Sequence, residues 1–82
     1  MYKILEKVVL NPTVTKMVID APHAAKHAKA GQFIILRVHE DGERIPLTIA
    51  DSDPKKGTVT IIFQIVGKTT MLLNALEEGD EL

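Results

Sequence analysis

The sequence predicts an all-β fold, a small six-stranded antiparallel Greek-key barrel with one short capping helix. Two observations carry this prediction. Five or six short segments rich in β-branched residues follow one another at the spacing typical of small barrels. In the fifth segment, Val59, Ile61 and Phe63 alternate with residues such as Thr58 and Thr60, as in an antiparallel strand with one buried face.

Composition predicts a single domain spanning residues 1–82. Apolar residues make up 45% of the chain and the formal net charge is −1, which predicts a folded unit and argues against a nucleic-acid binder that relies on a basic surface. There is no cysteine, and no segment has the unbroken apolar run of a signal peptide or a membrane span. We therefore expect a cytoplasmic protein with no nucleic-acid partner and no membrane span.

The first half of the chain predicts three strands. YKILEKVVLN and TVTKMVIDA are the first two, separated by the strand-breaking pair Asn11-Pro12. The stretch PHAAKHAKAG is rich in alanine and lysine rather than β-branched residues. It predicts either one short helical turn or an ordered loop, ending at Gly31. FIILRV follows as the third strand.

The second half predicts a hairpin, a further strand and the helix. Asp41-Gly42 is typical of a tight type I′ turn, so the third strand should pair with the fourth, ERIPLTIA. A polar turn, DSDPKKG, leads to the fifth strand, and a last strand is expected to begin at Glu81. Between them, TTMLLNALEEG predicts a helix whose apolar face carries three leucines, Leu72, Leu73 and Leu76.

The motif GKTT at residues 67–70 resembles the end of a P-loop but fails the spacing test. A P-loop needs a glycine five residues before its Gly-Lys pair, because a long loop must wrap backbone amides around the phosphates. That position is Ile62. A glycine at a strand end followed by two threonines that open a helix still offers amides and hydroxyls to an anion. The simpler interpretation is that Thr69 or Thr70 caps the helix.

The segment RIPLT, which contains Arg44, Pro46 and Thr48, places a proline in a predicted strand. Proline removes a ladder donor, so it belongs at a sheet edge or where a strand leaves its neighbour. One interpretation is an edge strand that carries an exposed arginine. The other is a ligand site, in which free backbone groups meet a planar polar ring and the arginine binds its phosphate.

Taken in order, three motifs make the chain resemble the flavin-binding barrel of the ferredoxin–NADP reductase superfamily. AKAGQF at residues 28–33 is similar to the family's A-K-P-G-Q-F, RIPLTIAD to R-x-P-[LIF]-[ST]-I, and VGKTTMLLNALEEGDEL to V-G-x-[GT]-T-x-x-L-x-x-L-x-x-G-D-x-L. Within the superfamily, the resemblance is to electron-transfer subunits of dihydroorotate dehydrogenase and to small subunits of NAD(P)H:ferredoxin oxidoreductases, also called sulfide dehydrogenase. It covers nearly the whole chain. Leu47 departs from the plant-type reductases, which have an aromatic residue stacked on the flavin.

The resemblance implies an FAD site formed by two segments. Arg44 would lie by the flavin phosphate or ribityl chain, and three strand residues, Pro46, Leu47 and Thr48, would line the isoalloxazine, with Thr48 directed toward N5. Four residues at the helix start would hold the pyrophosphate, Gly67, Lys68, Thr69 and Thr70. The resemblance implies no catalytic or metal-binding residue in this chain.

The resemblance further implies that the chain is the N-terminal part of a longer protein, because a nucleotide-binding domain follows the barrel in this family. The intact protein would pass electrons between NAD(P)H and an iron–sulfur partner through FAD. That partner would be a larger iron–sulfur or flavoprotein subunit, or a ferredoxin. The NAD(P)H site and any [2Fe–2S] cluster would lie outside this chain, which alone is expected to be inactive.

A second hypothesis keeps the barrel but removes the cofactor. Such a module would bind protein or RNA through its strands or loops. The near-neutral charge and only three aromatic residues argue against stacking on RNA bases. Colour separates the two hypotheses, since bound flavin is yellow and an interaction module is colourless.

Overall fold

The computed structural model describes residues 2–37 and 42–82, in which five strands and two short helices follow one another. The strands are β1 (Lys3–Asn11), β2 (Val14–Asp20), β3 (Phe33–Leu36), β4 (Ile45–Asp53) and β5 (Thr58–Gln64). The helices are α1 (Pro22–His27), between β2 and β3, and α2 (Lys68–Asn74), after β5. The first five predicted strands are all present, in the predicted order.

The strands form one antiparallel sheet in the order β1-β2-β5-β4-β3. β5 lies at its centre, between the β1–β2 pair and the β4–β3 pair. In the turn from β1 to β2, the Asn11 side-chain oxygen accepts hydrogen bonds from the backbone N–H of Thr13, at 2.9 Å, and from its hydroxyl, at 3.1 Å. Asparagine side chains commonly hold a turn in this way, so the turn predicted at Asn11-Pro12 is confirmed.

Alternate residues of the central strands point into one apolar core. Met17 of β2 lies opposite Ile61 of β5, and Ile61 lies in turn opposite Ile49 of β4. All three are buried, whereas their neighbours along each strand are half-buried or exposed. This pattern confirms the predicted antiparallel strand with one buried face. The buried apolar residues are Ile4, Met17, Ile19, Ala21, Ala25, Leu36, Ile49, Val59, Ile61, Phe63 and Leu73.

Two helices are present where one capping helix was predicted. The stretch interpreted as a helical turn or a loop forms α1, which begins at Pro22 and buries Ala25. In α2, Leu73 is buried and Leu76 packs against the core, but Leu72 is exposed. The prediction that Leu72 shares their face was wrong, because adjacent residues of a helix are about 100° apart while residues i and i+3 are neighbours.

Neither helix of the described chain is long and apolar enough to cross a membrane.

The turn between β4 and β5 depends on a glycine. β4 continues to Asp53, so the first three residues of the predicted turn belong to the strand. The Asp53 carboxylate accepts the backbone N–H groups of Lys55 and Lys56, at 3.0 and 3.2 Å. Gly57 has a φ of +69°, and its carbonyl accepts the N–H of Ala21 at 2.9 Å. Glycine adopts this left-handed backbone without steric cost, and in this conformation the turn closes the hairpin while its carbonyl holds the start of α1.

The β3–β4 pair that Asp41-Gly42 predicted is confirmed. Phe33 lies opposite Thr48, and Leu36 lies opposite Ile45. Asp41 itself lies outside the described residues, so the type of this turn stays a prediction.

The predicted six-stranded barrel is not found in the described residues, where the five-stranded sheet is not closed. Glu81, the expected start of a last strand, forms a single antiparallel bridge with Lys3. One bridge lacks the run of paired residues that makes a strand. An apolar cavity of about 260 Å³ opens between α1, β2, β3 and β5, lined by Tyr2, Ile19, Ala21, Ala24, Ile34, Ile35, Leu36 and Val59.

Replacing Gly57 by alanine should lower the free energy of unfolding by about 1–3 kcal/mol. The backbone at this position disfavours any side chain, and a Cβ would lie 3.2 Å from Pro22. Urea-induced unfolding measures the loss. Gly31→Ala is the matched control, because Gly31 also has a positive φ, +91°, but a Cβ there meets no atom within 4 Å. An equal loss in both variants would show that the Pro22 contact contributes nothing.

Candidate functional site

β4 changes neighbours halfway along its length. Its C-terminal half pairs with β5, and the last registered pair in that direction is Ile49 opposite Ile61. Before it, residues 45–48 are registered with β3 alone, while residues 62–64 of β5 are registered with β2 alone. A register shift follows Ile49, which is typical of a β-bulge. β4 and β5 therefore lose their pairing at this point, and the segment RIPLT borders the gap between them.

The first half of β4 presents its side chains to two different surfaces. Pro46 and Thr48 are exposed on the outer face of the sheet, as is Arg44 just before the strand. Leu47 points the other way, is half-buried and packs against the core. Since alternate strand residues face opposite sides, the sheet brings Pro46 and Thr48 together and separates Leu47 from them.

Strand direction brings Arg44 to the end of the sheet where α2 begins. In an antiparallel pair, moving back along β4 from Ile49 toward Arg44 corresponds to moving forward along β5 from Ile61 toward its end. α2 starts at Lys68, four residues after that end. Arg44 and Lys68 are both exposed, and neither forms an ion pair with a described residue. This end of the sheet therefore carries two available cations.

The hydroxyl of Thr70 caps the start of α2. It accepts hydrogen bonds from the backbone N–H groups of Val66, at 2.9 Å, and Gly67, at 3.0 Å, and it donates to the Gly67 carbonyl at 2.9 Å. Thr69, in contrast, has no side-chain hydrogen bond to a described residue. The N–H groups of a first helical turn have no carbonyl before them in the helix. Capping thus occupies the Thr70 hydroxyl and leaves the amides of residues 68–70 for another acceptor.

Gly67 stands before these amides with no internal need to be glycine. Its φ is −161° and its ψ is −179°, an extended backbone that any residue adopts. A Cβ at this position would meet no atom within 4 Å. Neither strain nor packing with the described residues explains the glycine. A side chain here would have room beside the described residues, and glycine leaves that room at the start of α2 open.

The opposite end of α2 is anchored by a buried polar contact that sequence reasoning missed. Thr15, fully buried in β2, donates from Oγ1 to Oδ1 of Asn74 at 2.6 Å. The ammonium of Lys7 donates to the Asn74 carbonyl at 2.5 Å and lies 3.5 Å from the Glu77 carboxylate. A cation at a helix C-terminus is favourable to the helix dipole. The available sequence signal was a threonine at an inward-facing position of β2.

Several proteins are similar to this chain over its whole length. An uncharacterised protein encoded in the adh 3′ region of Clostridium beijerinckii is 58% identical over 82 residues, which are all of this chain and 28% of that protein. The dihydroorotate dehydrogenase B (NAD(+)), electron transfer subunit homolog of Thermotoga maritima is 42% identical over 98% of this chain and 28% of its own length. The corresponding electron transfer subunit of Desulforamulus reducens is 32% identical over 98% of this chain and 32% of its length. The chain thus spans less than a third of each of these relatives.

Solved structures agree with these relatives. One chain of an NADH-dependent reduced ferredoxin-NADP oxidoreductase, described in connection with flavin-based electron bifurcation, matches with a TM-score of 0.93 and 42% identity. The match covers 98% of this chain and 29% of that one. A siderophore interacting protein from Acinetobacter baumannii matches with a TM-score of 0.74 and 17% identity, over 96% of this chain and 36% of that one, and therefore shares the fold alone. No family model matches the chain.

Replacing Thr15 by valine should lower the free energy of unfolding by about 1–2 kcal/mol, because the isosteric change removes the hydroxyl that donates to Asn74 Oδ1 and leaves that oxygen with no other donor among the described residues. Urea-induced unfolding measures the difference. Thr60→Val is the control, since Thr60 is half-buried and its hydroxyl has no hydrogen bond to a described residue. A Thr15→Val variant as stable as the control would contradict the role given to this contact.

Proposed function

Because the chain belongs to the ferredoxin–NADP reductase superfamily, we propose that it is the FAD-binding part of an electron-transfer flavoprotein. The observation that carries the proposal is the parting of β4 from β5 at Ile49, with Arg44 and Lys68 at the same end of the sheet. A dinucleotide cofactor needs both features. Its planar ring fits against a strand segment whose side toward β5 has no partner, and its phosphates need cations and amides.

The pyrophosphate half of the site is proposed to lie at the start of α2. Its donors would be the backbone N–H groups of residues 68–70, with the Thr69 hydroxyl and the Lys68 ammonium beside them. Gly67 fits this role, because the space that a Cβ would fill is open. The Thr70 hydroxyl already caps the helix, so Thr70 would contribute its amide and hold the loop in shape.

The isoalloxazine is proposed to lie over the outer face of the first half of β4. Pro46 and Thr48 are exposed there, and Thr48 would direct its hydroxyl toward flavin N5. Leu47 would support the ring from the core side rather than stack on it, since it packs inward. Arg44 is placed to bind the phosphate or ribityl chain that joins the two halves of the cofactor.

The activity of a longer protein is proposed from its relatives, of which this chain spans less than a third. FAD, when bound, accepts electrons in pairs from a nicotinamide and releases them singly to iron–sulfur centres. This chain would bind and orient the flavin. The NAD(P)H site and the larger iron–sulfur or flavoprotein partner, or ferredoxin, would lie outside it, so residues 1–82 alone would not oxidise NAD(P)H.

We also propose that a sixth strand closes the sheet into the predicted Greek-key barrel when the chain continues as it does in its longer relatives. Leu82 donates its N–H to the Tyr2 carbonyl at 2.8 Å and accepts the Tyr2 N–H at 3.2 Å. The chain is therefore already paired with β1 beside the apolar cavity. Further strand residues would cover the cavity and the exposed edge of β3.

The cofactor-free interaction module is the less favoured alternative. Relatives named as electron transfer subunits support the flavoprotein. Glycine is a favoured helix N-cap residue in either case, but the open position at Gly67 also leaves room for a ligand at the start of α2.

Replacing Arg44 by alanine should weaken FAD binding about tenfold or more, because a charge-assisted hydrogen bond contributes about 1.5–3 kcal/mol. A titration of the protein in its natural length, followed by flavin absorbance and fluorescence, gives the Kd. Lys56→Ala is the matched control, since it removes an equal charge from the turn at the far end of β4. Equal affinities of the two variants would remove Arg44 from the site, and a parent protein that binds no FAD would refute the flavoprotein proposal.

Replacing Gly67 by alanine should leave the fold intact and still weaken FAD binding about tenfold. The Cβ has room in the protein but would occupy the proposed phosphate space. Urea unfolding should show a loss of no more than about 1 kcal/mol, the scale of a changed helix N-cap, while the FAD titration shows the larger effect. An unchanged Kd would mean that the pyrophosphate does not approach residue 67.

A further inference from the structure

The outer face of β3 carries an aromatic side chain to which the proposed function gives no role. Phe33 is 70% exposed, whereas the other phenylalanine of the chain, Phe63, is 3% exposed. Ile35, the next residue on the same face, is 63% exposed. A single exposed apolar residue needs no explanation, but a contiguous row of them marks a surface that meets something.

This row lies directly beside the proposed flavin strand. Phe33 is registered opposite Thr48, and Ile35 is registered opposite Pro46. Residues directly opposite each other on one face of an antiparallel pair have Cβ atoms about 4.5–5.5 Å apart. Phe33 therefore borders the Thr48 hydroxyl on the side away from β5. The three fused rings of an isoalloxazine are wide enough to cover two neighbouring strands, so a ring placed over Thr48 also reaches Phe33.

The segment before Phe33 is held in place by hydrogen bonds. Gly31, with a φ of +91°, donates its N–H to the Ile49 carbonyl at 2.9 Å, and the Ile49 N–H donates to the Gln32 carbonyl at 2.7 Å. The Gln32 side chain accepts the N–H of Lys29 at 2.8 Å. These bonds tie the start of β3 to the residue at which β4 and β5 part. A side chain fixed in this way loses little conformational freedom when a ligand covers it.

From this geometry we propose that Phe33 forms one wall of the isoalloxazine site and packs its ring against the flavin next to Thr48. The inference rests on the proposed FAD site and adds a residue to it. A phenylalanine ring has no hydrogen-bonding group, so it suits the apolar dimethylbenzene part of the flavin. The polar pyrimidine part then faces the gap beside β5, where backbone groups are available. Leu47, which packs inward, leaves this aromatic role unfilled on β4 itself.

The first test is an FAD titration of three variants of the protein in its natural length. Loss of a ring contact with a planar heterocycle weakens binding by about 5–100-fold, so Phe33→Ala should raise the Kd about tenfold and Phe33→Leu by less. Val9→Ala, at an exposed position of β1 on the opposite edge of the sheet, should stay within about twofold of the parent. If Phe33→Ala matches Val9→Ala while the parent binds FAD, this inference is overturned and the FAD site stands. If the parent binds no FAD, the proposed function itself fails.

The second test does not depend on affinity. The chain contains no tryptophan, and an indole in contact with a flavin quenches flavin fluorescence. At saturating FAD, Phe33→Trp should reduce the emission of the bound flavin several-fold relative to Val9→Trp, which lies on the opposite edge of the sheet. Both positions are exposed, so the larger ring is accommodated in each. Equal emission from the two complexes would overturn the placement of Phe33 against the ring.

Discussion

The contact between Ile49 and Ile61 is the point on which the rest of the arrangement depends. Both side chains are buried in the core, and they form the last registered pair of β4 and β5. On one side of this pair the sheet is continuous and burial of apolar surface holds it together. On the other side β4 follows β3, and the gap that borders RIPLT begins. This buried pair is thus the last of four registered pairs that join β4 to β5, and it marks where the proposed ligand surface starts, so its loss would affect stability and site together.

The sequence was sufficient for the features that local chemistry determines. Alternation identified β5 and its buried face, Asn11-Pro12 identified the first turn, and Pro46 marked the part of β4 that is not registered with β5. Features that depend on contacts between distant parts of the chain could not be predicted from the sequence. Thr15 and Asn74 are 59 residues apart in the chain, so nothing local indicated that they meet. Burial of Leu73 rather than Leu72 likewise depends on where α2 packs against the sheet. The lack of barrel closure within the described residues depends on where β1 lies.

The two interpretations of GKTT are compatible in this fold. Thr70 reaches back to the amides of Val66 and Gly67, which satisfies the capping interpretation. That arrangement leaves the amides of the next residues without a carbonyl partner inside the helix, and the Thr69 hydroxyl has no hydrogen bond to a described residue. Anchoring of the far end of α2 by Thr15 and Lys7 fixes the direction in which those amides point. The C-terminal end of α2 is therefore anchored to the sheet, while the N-terminal end keeps hydrogen-bond donors that a ligand can use.

The two edges of the open sheet differ in how well they resist pairing with another chain. β1 carries Lys3 and Glu6 among its exposed aliphatic residues, and charges of this kind interfere with strand addition. The four residues of β3, FIIL, carry no charge and expose Phe33 and Ile35. Such a strand has the composition of segments that stack into intermolecular sheets. In concentrated solution the β3 edge, rather than the β1 edge, would set the solubility limit of this chain, and a charged residue at position 35 would raise it.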